Sequence, residues 1–307
     1  MSKQIIYDVD ELRKFYRYLV QPLDIEGDRG LLLFLTSRKK YYPDFMKNYI
    51  KSDNFLNKYF FKYNDEDIFI TSVKKLNLDL ESYLIKMKIT PEEFMKLPPN
   101  IQNQIAEYVG KFYIFSDYYK KGEEKRMIIH FHPPVDTITL YIDLNPKSAM
   151  SGTIKAVKQV LKQVEDMSVL NSQVSELIMN GVSPDSPEVK RKIEEIKLIQ
   201  KWFKNFKTSW LSEIHRSNAG HPPYFQIDVD VKDEELLEKI TRKVNPVEAI
   251  IETKNGYHII YKNERKLKAV AHKEFGVFKP DVEIQSEVMT PLPGTLQGGF
   301  KVKMIYP

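Results

Sequence analysis

The residues of this chain with the types and spacing for chemistry cluster in its last third. Three stretches hold them: "YFQIDVDV" from Tyr224, "ETKNGYHII" from Glu252 and "KPDVEIQSEVMTPLPGTLQGG" from Lys279. The first reads as a strand, so Asp228 and Asp230 point to one face while Ile227, Val229 and Val231 point to the other. Two like charges so close repel each other. A divalent cation with a preference for hard oxygen ligands, Mg²⁺ or Mn²⁺, would offset that repulsion. The same spacing also suits a solvated strand face, and position alone favours that reading. The second stretch has an Asn255-Gly256 turn between two strands, with His258 directly after it and Thr253 and Lys254 directly before it. Turn amides, a lysine and an imidazole suit a polyphosphate. The third stretch offers another carboxylate, Asp281 or Glu283, followed by the "PGTLQGG" loop. Together these make a coherent set for two-metal phosphoryl transfer. A second Asp-Val-Asp, at Asp8 and Asp10, immediately precedes a helical pattern, and helix capping explains it fully.

The elements that must position these residues can be read along the chain. Residues 1 to about 125 read as mostly helical, with Leu12, Phe15, Tyr16 and Leu19 at helical spacing and "GLLLFLT" as a buried strand. From 126 to 307 the pattern is that of a mixed core. Two strands flank Pro133-Pro134, and a helical insertion spans about 152–217. Strand, helix, two strands, helix and strand follow, and "FKVKMIY" closes the chain as a strand with Lys301 and Lys303 on one face. The predicted class is α+β. With 307 residues, 42% of them apolar, the chain can bury a sizeable core. The absence of cysteine excludes disulfides and Cys-based zinc sites. No apolar run is long enough to span a membrane, and the N-terminal residues lack the features of a signal peptide, which predicts a cytoplasmic protein. The net charge of +5 fits a polyanionic partner.

The order of "IDVD", "TKNGYH" and an acidic residue ahead of "PGTLQGG" resembles the archaeo-eukaryotic primase superfamily, the primases and primase-polymerases. The resemblance covers about residues 224–300. It implies that Asp228 and Asp230 hold metal, with Asp281 as the third ligand and Glu283 as its competitor. It implies that His258 contacts the incoming nucleotide's phosphates, with Thr253, Lys254 and Asn255 around it. "YIDLNPKS" is similar to an element of some primase-polymerases, which would add Asn145 and Lys147 as nucleotide contacts. The pattern also departs from the family: Gly256 stands two residues before His258, where a Ser is usual. No Arg precedes the Pro-Gly-Thr loop, and Gln297 stands where a His is common. The implied fold is a primase-polymerase core with an RNA-recognition-like module, and the implied activity is template-directed nucleotidyl transfer. Mn²⁺ or Mg²⁺ would be the cofactor and dNTP or NTP the substrate. Single-stranded DNA template and primer would be the partners, with Lys301 and Lys303 on template phosphates; replication, repair or CRISPR-system proteins are further partners. Neither haem, flavin nor zinc is expected.

Two other readings compete. "IIHFHPP" puts His130 and His132 on one strand face, similar to the His-hydrophobic-His site of rolling-circle nucleases and relaxases. Such an enzyme needs a nucleophilic tyrosine, and Tyr118 and Tyr141 are the nearby candidates. The second is a non-catalytic single-strand-binding module that uses its aromatic residues for base stacking. No Gly-x-x-x-x-Gly-Lys-Ser/Thr motif is present, so the chain has no P-loop of its own.

Overall fold

The computed structural model of the chain describes residues 4–307, apart from 24, 26, 51, 63–64, 79–82, 90, 111–114, 122–123 and 277–280. Asp8 starts the first helix, α1 (Val9–Phe15), by accepting from the Asp10 and Glu11 amides, and a π-helical turn continues it to Val20. The apolar run that follows, buried on both faces, is strand β1 (Arg29–Ser37). A short helix α2 (Asp44–Lys47) leads to β2 (Asn54–Phe61), which pairs antiparallel with β1. Helix α3 (Glu66–Leu78), strand β3 (Ile85–Ile89), helices α4 (Pro91–Lys96) and α5 (Pro99–Gly110), and strands β4 (Phe115–Lys121) and β5 (Glu124–Phe131) follow. The first 125 residues are therefore mixed, not mostly helical as their sequence suggests. Their Tyr and Phe residues serve strands as well as helices: Leu33 lies opposite Tyr59, and Leu31 opposite Phe61.

Strand β6 (Ile138–Ser148) runs into the long helix α6 (Ala149–Met179), which Ser148 caps by accepting from the Ser151 amide. Helices α7 (Pro187–Lys204) and α8 (Phe206–His215) complete this helical stretch. The remainder is β7 (Tyr224–Val229), α9 (Glu234–Lys243), β8 (Ala249–Glu252), β9 (Tyr257–Lys262), α10 (Arg265–Phe275), β10 (Val282–Gln285), β11 (Met289–Pro291), β12 (Leu296–Gln297), β13 (Phe300–Lys301) and β14 (Lys303–Tyr306). The chain divides into two compact units. One holds 1–26, 31–146 and 220–307; the other holds 27–30 and 147–219. The first 125 residues and the strand-rich C-terminal part thus share a unit, because β1 and β6 lie side by side in one sheet.

The first unit contains three antiparallel sheets, with orders β13-β12-β6-β1-β2 (β11 also pairs with β6), β10-β7-β9-β8-β14 and β3-β5-β4. The middle one is a βαββαβ arrangement, β7-α9-β8-β9-α10-β10, with its first and third strands in the centre. One face of that sheet buries Phe225, Ile227, Val229, Ile259 and Tyr261 against Ile240 of α9 and Ala271 and Phe275 of α10. On the other face, Tyr224, Ile260, Ile251 and Met304 join the core formed by β1, β6, α1 and α3. The strands on either side of Pro133-Pro134 go to different sheets. The C-terminal strand is also broken. At Val302 the backbone bonds back to Gly294 and Thr295, so β13 pairs with β12 while β14 pairs with β8. Lys301 and Lys303 are both exposed but lie on strands of two sheets, not on one continuous strand. Among the described residues, no helix is long and apolar enough to cross a membrane.

Candidate active site

Strand register assembles the site. In the βαββαβ sheet, Asp228 lies opposite His258 of β9 on one side and opposite Glu283 of β10 on the other. One step further along, the Asp230 amide donates to the Asp281 carbonyl at 2.9 Å, so these two residues also face each other. Directly opposed residues of an antiparallel pair share a face. Asp228, Asp230, Asp281, Glu283 and His258 therefore all belong to the face opposite the helices. Both candidates for the third carboxylate are brought in. Glu283 is the one across from Asp228, and its carboxylate accepts from Gln285 Nε2 at 2.9 Å.

Gly256 sets the closeness of this arrangement. A Cβ there would lie 1.8 Å from the Val229 carbonyl oxygen and 2.8 Å from the Val231 amide nitrogen. Only glycine lets the turn press against the end of the strand that carries Asp228 and Asp230. The Thr253 hydroxyl accepts from the Gly256 amide at 3.1 Å, and the Thr253 amide donates to the Gly256 carbonyl at 2.9 Å. Thr253 is thus buried and closes the turn, while Asn255 is exposed at its tip. The Lys254 amide donates to Gln297 Oε1 at 2.6 Å, and its Nζ donates to the Gly298 carbonyl at 2.6 Å. The same Nζ lies 4.4 Å from the centre of the Tyr41 ring. The "PGTLQGG" segment is divided in its role. Gly294 packs on α1, with its carbonyl accepting from the Tyr7 and Asp8 amides, whereas Gln297 and Gly298 reach the Lys254 turn.

Burial and charge make the site unusual. Burial pushes the Asp228 carboxyl up to about 7, and the charges of Asp230 and Glu283 add to the effect against Lys40 and Arg38. His258 is almost fully buried, with Nε2 3.4 Å from Asp228 Oδ1 and with no hydrogen-bond partner for Nδ1 among the described residues. Its burial, with Lys40 and Arg38 nearby, holds its pKa down to about 3, so the imidazole is neutral. Burial and the charge of Arg38 likewise lower the Lys40 amine below its ordinary value, while Asp230, Asp228 and Asp53 act in the other direction.

Arg38, Lys40 and Tyr41 are site residues that the motifs do not reveal. They follow β1 in "SRKKYY", where a buried apolar strand runs straight into a basic, aromatic cluster. That abrupt change is the sequence signal that marks them. Arg38 Nε is 2.7 Å from Asp53 Oδ2, and its guanidinium donates to the Tyr141 hydroxyl. Gln297 also bonds the Tyr141 side chain, which burial shifts upward in pKa. A continuous polar path therefore runs from Asp53 through Arg38, Tyr141 and Gln297 to the Lys254 turn. Gln297 links Tyr141 to the Lys254 turn in this path.

Other expected residues lie elsewhere. Asn145 is buried and donates through its amide and Nδ2 to Asp143 Oδ1, at 3.0 and 2.8 Å. Lys147 is buried in the helical unit and donates to Asn218 Oδ1 at 2.7 Å. Both side chains are buried and bonded locally, while Asn145 Oδ1 has no hydrogen-bond partner among the described residues. His132 lies beyond β5, with Nδ1 3.1 Å from the Tyr83 carbonyl. The side chains of His130 and Tyr118 lie outside the described residues.

The donors around Asp228 are oxygen atoms with one neutral imidazole, and the buried carboxylate is short of positive charge. That set fits a hard divalent cation. Among the described residues, no three His, Asp or Glu side chains already close into a metal cage. Comparison with protein-family models, with curated proteins and with solved structures finds no match.

Proposed function

We propose that the chain is a template-directed nucleotidyltransferase of primase-polymerase type, working in the βαββαβ module. One observation carries this reading. The register of β7, β9 and β10 gathers Asp228, Asp230, Asp281 and Glu283 on one sheet face beside His258. The strand order β10-β7-β9-β8 supports the RNA-recognition-like module that the resemblance implies. Asp228 and Asp230, with Asp281 or Glu283, would hold Mn²⁺ or Mg²⁺. The chemistry such ions supply when bound is a more acidic 3′-hydroxyl and a neutralised pyrophosphate leaving group.

The chain's own residues do the rest. Neutral His258 serves as a hydrogen-bonding group toward Asp228 and a phosphate, not as a cation. Positive charge for the triphosphate comes from Arg38 and Lys40, which act on Asp228, and from Lys254, which Tyr41 and Gln297 hold. In the reaction the 3′-hydroxyl gives up its proton to water, its oxygen bonds to the α-phosphorus, the α–β phosphoanhydride bond breaks and pyrophosphate leaves. The test supplies single-stranded template, primer, dNTP or NTP and Mn²⁺. Extension that is lost in Asp228→Ala and Asp230→Ala supports the reading. No product from the native chain with either nucleotide set overturns it.

A further inference from the structure

We infer that α6 is a self-association surface through which two copies of the chain pair antiparallel. This does not rest on the nucleotidyl-transfer reading. Met150, Ile154, Val157, Leu161 and Val164 follow one another at steps of four, three, four and three residues along this 31-residue helix. They are 64, 51, 46, 63 and 47% exposed, the values expected of a face with nothing on it. Large apolar side chains at strict 3.5-residue spacing form the seam of a coiled coil, a narrower stripe than a helix uses against a globular core. The stripe extends for about 21 Å at the helical rise.

The helix already uses its opposite side. Gly152 and Ala156 are buried there, with a Cβ on Gly152 only 2.6 Å from Ile214 Cα of α8. Gln159 donates to Glu213 of α8 and Lys155 to Ser217, while Gln173 accepts from Lys192 of α7. The seam therefore faces away from α7 and α8. Its period calls for another helix as occupant.

Charge selects a second copy. Lys158 and Glu165, both exposed, occupy equivalent positions flanking the seam one heptad apart, with opposite sign. In an antiparallel pair with Val157 opposite Leu161 and Ile154 opposite Val164, four successive layers are apolar on both helices. Lys158 then falls beside Glu165 of the second copy at both ends. The polar residues that continue the repeat, Ser168, Asn171 and Ser175, end the apolar seam and limit it to this overlap.

The experiment is sedimentation equilibrium of the full chain over a concentration series, with thermal unfolding of every variant as a fold check. The native chain should dimerise. Leu161→Glu, at an exposed position, should keep its melting temperature and weaken the dimer by roughly a hundredfold, because it places an unpaired charge in the seam. Lys158→Glu should weaken the dimer, and adding Glu165→Lys should restore it. Direction is tested by disulfide formation, since the chain has no cysteine. A mixture of Val157→Cys and Leu161→Cys chains should cross-link faster than either alone. A chain that stays monomeric throughout, a dimer indifferent to Leu161→Glu, or faster self-linking of Val157→Cys would overturn the proposal.

Discussion

Asp228 is held under conflicting constraints. It sits across from His258 and Glu283 and two residues before Asp230, on a partly buried strand face. Its folded pKa of about 7 lies above its ordinary value, so the fold binds its proton more tightly than the unfolded chain does. Stability from this group is therefore full at low pH and is lost as pH rises from about 4 to about 7. His258 slopes the other way, since its pKa is depressed and protonation favours the unfolded chain as pH falls below its ordinary value. The wild-type profile mixes the two, so the difference between variants is the informative quantity. In EDTA, Asp228→Asn should be more stable than wild type at pH 8, by a few kcal/mol at most, and should show little advantage at pH 5. Thermal melts at both pH values check this. Added Mn²⁺ should raise the melting temperature of wild type and leave Asp228→Asn unmoved. The Asp228–Asp230 pair and His258 could be read from strand alternation, because period two fixes a face whatever the tertiary structure. Arg38, Lys40 and Tyr41 could not be linked to them, because only the packing of two sheets brings that basic cluster to the carboxylates. The sequence also does not show that Asn145 and Lys147 are buried, with Asn145 bonded to Asp143 two residues before it and Lys147 to Asn218 across the helical unit.

The two Asp-Val-Asp copies separate at the level of secondary structure. Asp8 caps α1 through two amides, whereas Asp228 lies in β7. Asp8→Ala should cost about 1 kcal/mol in denaturant unfolding and leave activity intact. Asp230→Ala should abolish activity with little loss of stability, since that side chain is exposed. The β8–β9 turn gives a second contrast. Gly256→Ala puts a methyl group 1.8 Å from the Val229 carbonyl, so the turn and β7 must separate. It should lower both stability and activity, while Asn255→Ala, at the exposed tip, should change stability by less than about 0.5 kcal/mol. The strand–helix–strand order after Tyr224 was legible because helical and strand periods alternate there without ambiguity. The first 125 residues were not, because aromatic-rich strands such as β2 carry no clean alternation: most of its residues are only partly buried on either face. The break at Val302 was also hidden, since it depends on bonds to Gly294 and Thr295.

Across the chain, the strand-rich unit holds every residue of the candidate site, while the helical unit carries the α6 seam. The two assignments are separable: Leu161→Glu should dissociate the dimer, and Asp228→Ala should leave it intact. The cationic cluster after β1 carries a further prediction. Removing Arg38 and Lys40 together should weaken nucleotide binding by about tenfold or more at low salt, and less at high salt, where their charges are screened. Primer extension on a single-stranded template with Mn²⁺ and labelled nucleotide, run side by side for the native chain and Asp228→Ala, examines the site as a working whole. The account predicts templated product from the native chain and none from the variant. Equal product from both, or none from the native chain with either dNTP or NTP, would contradict it.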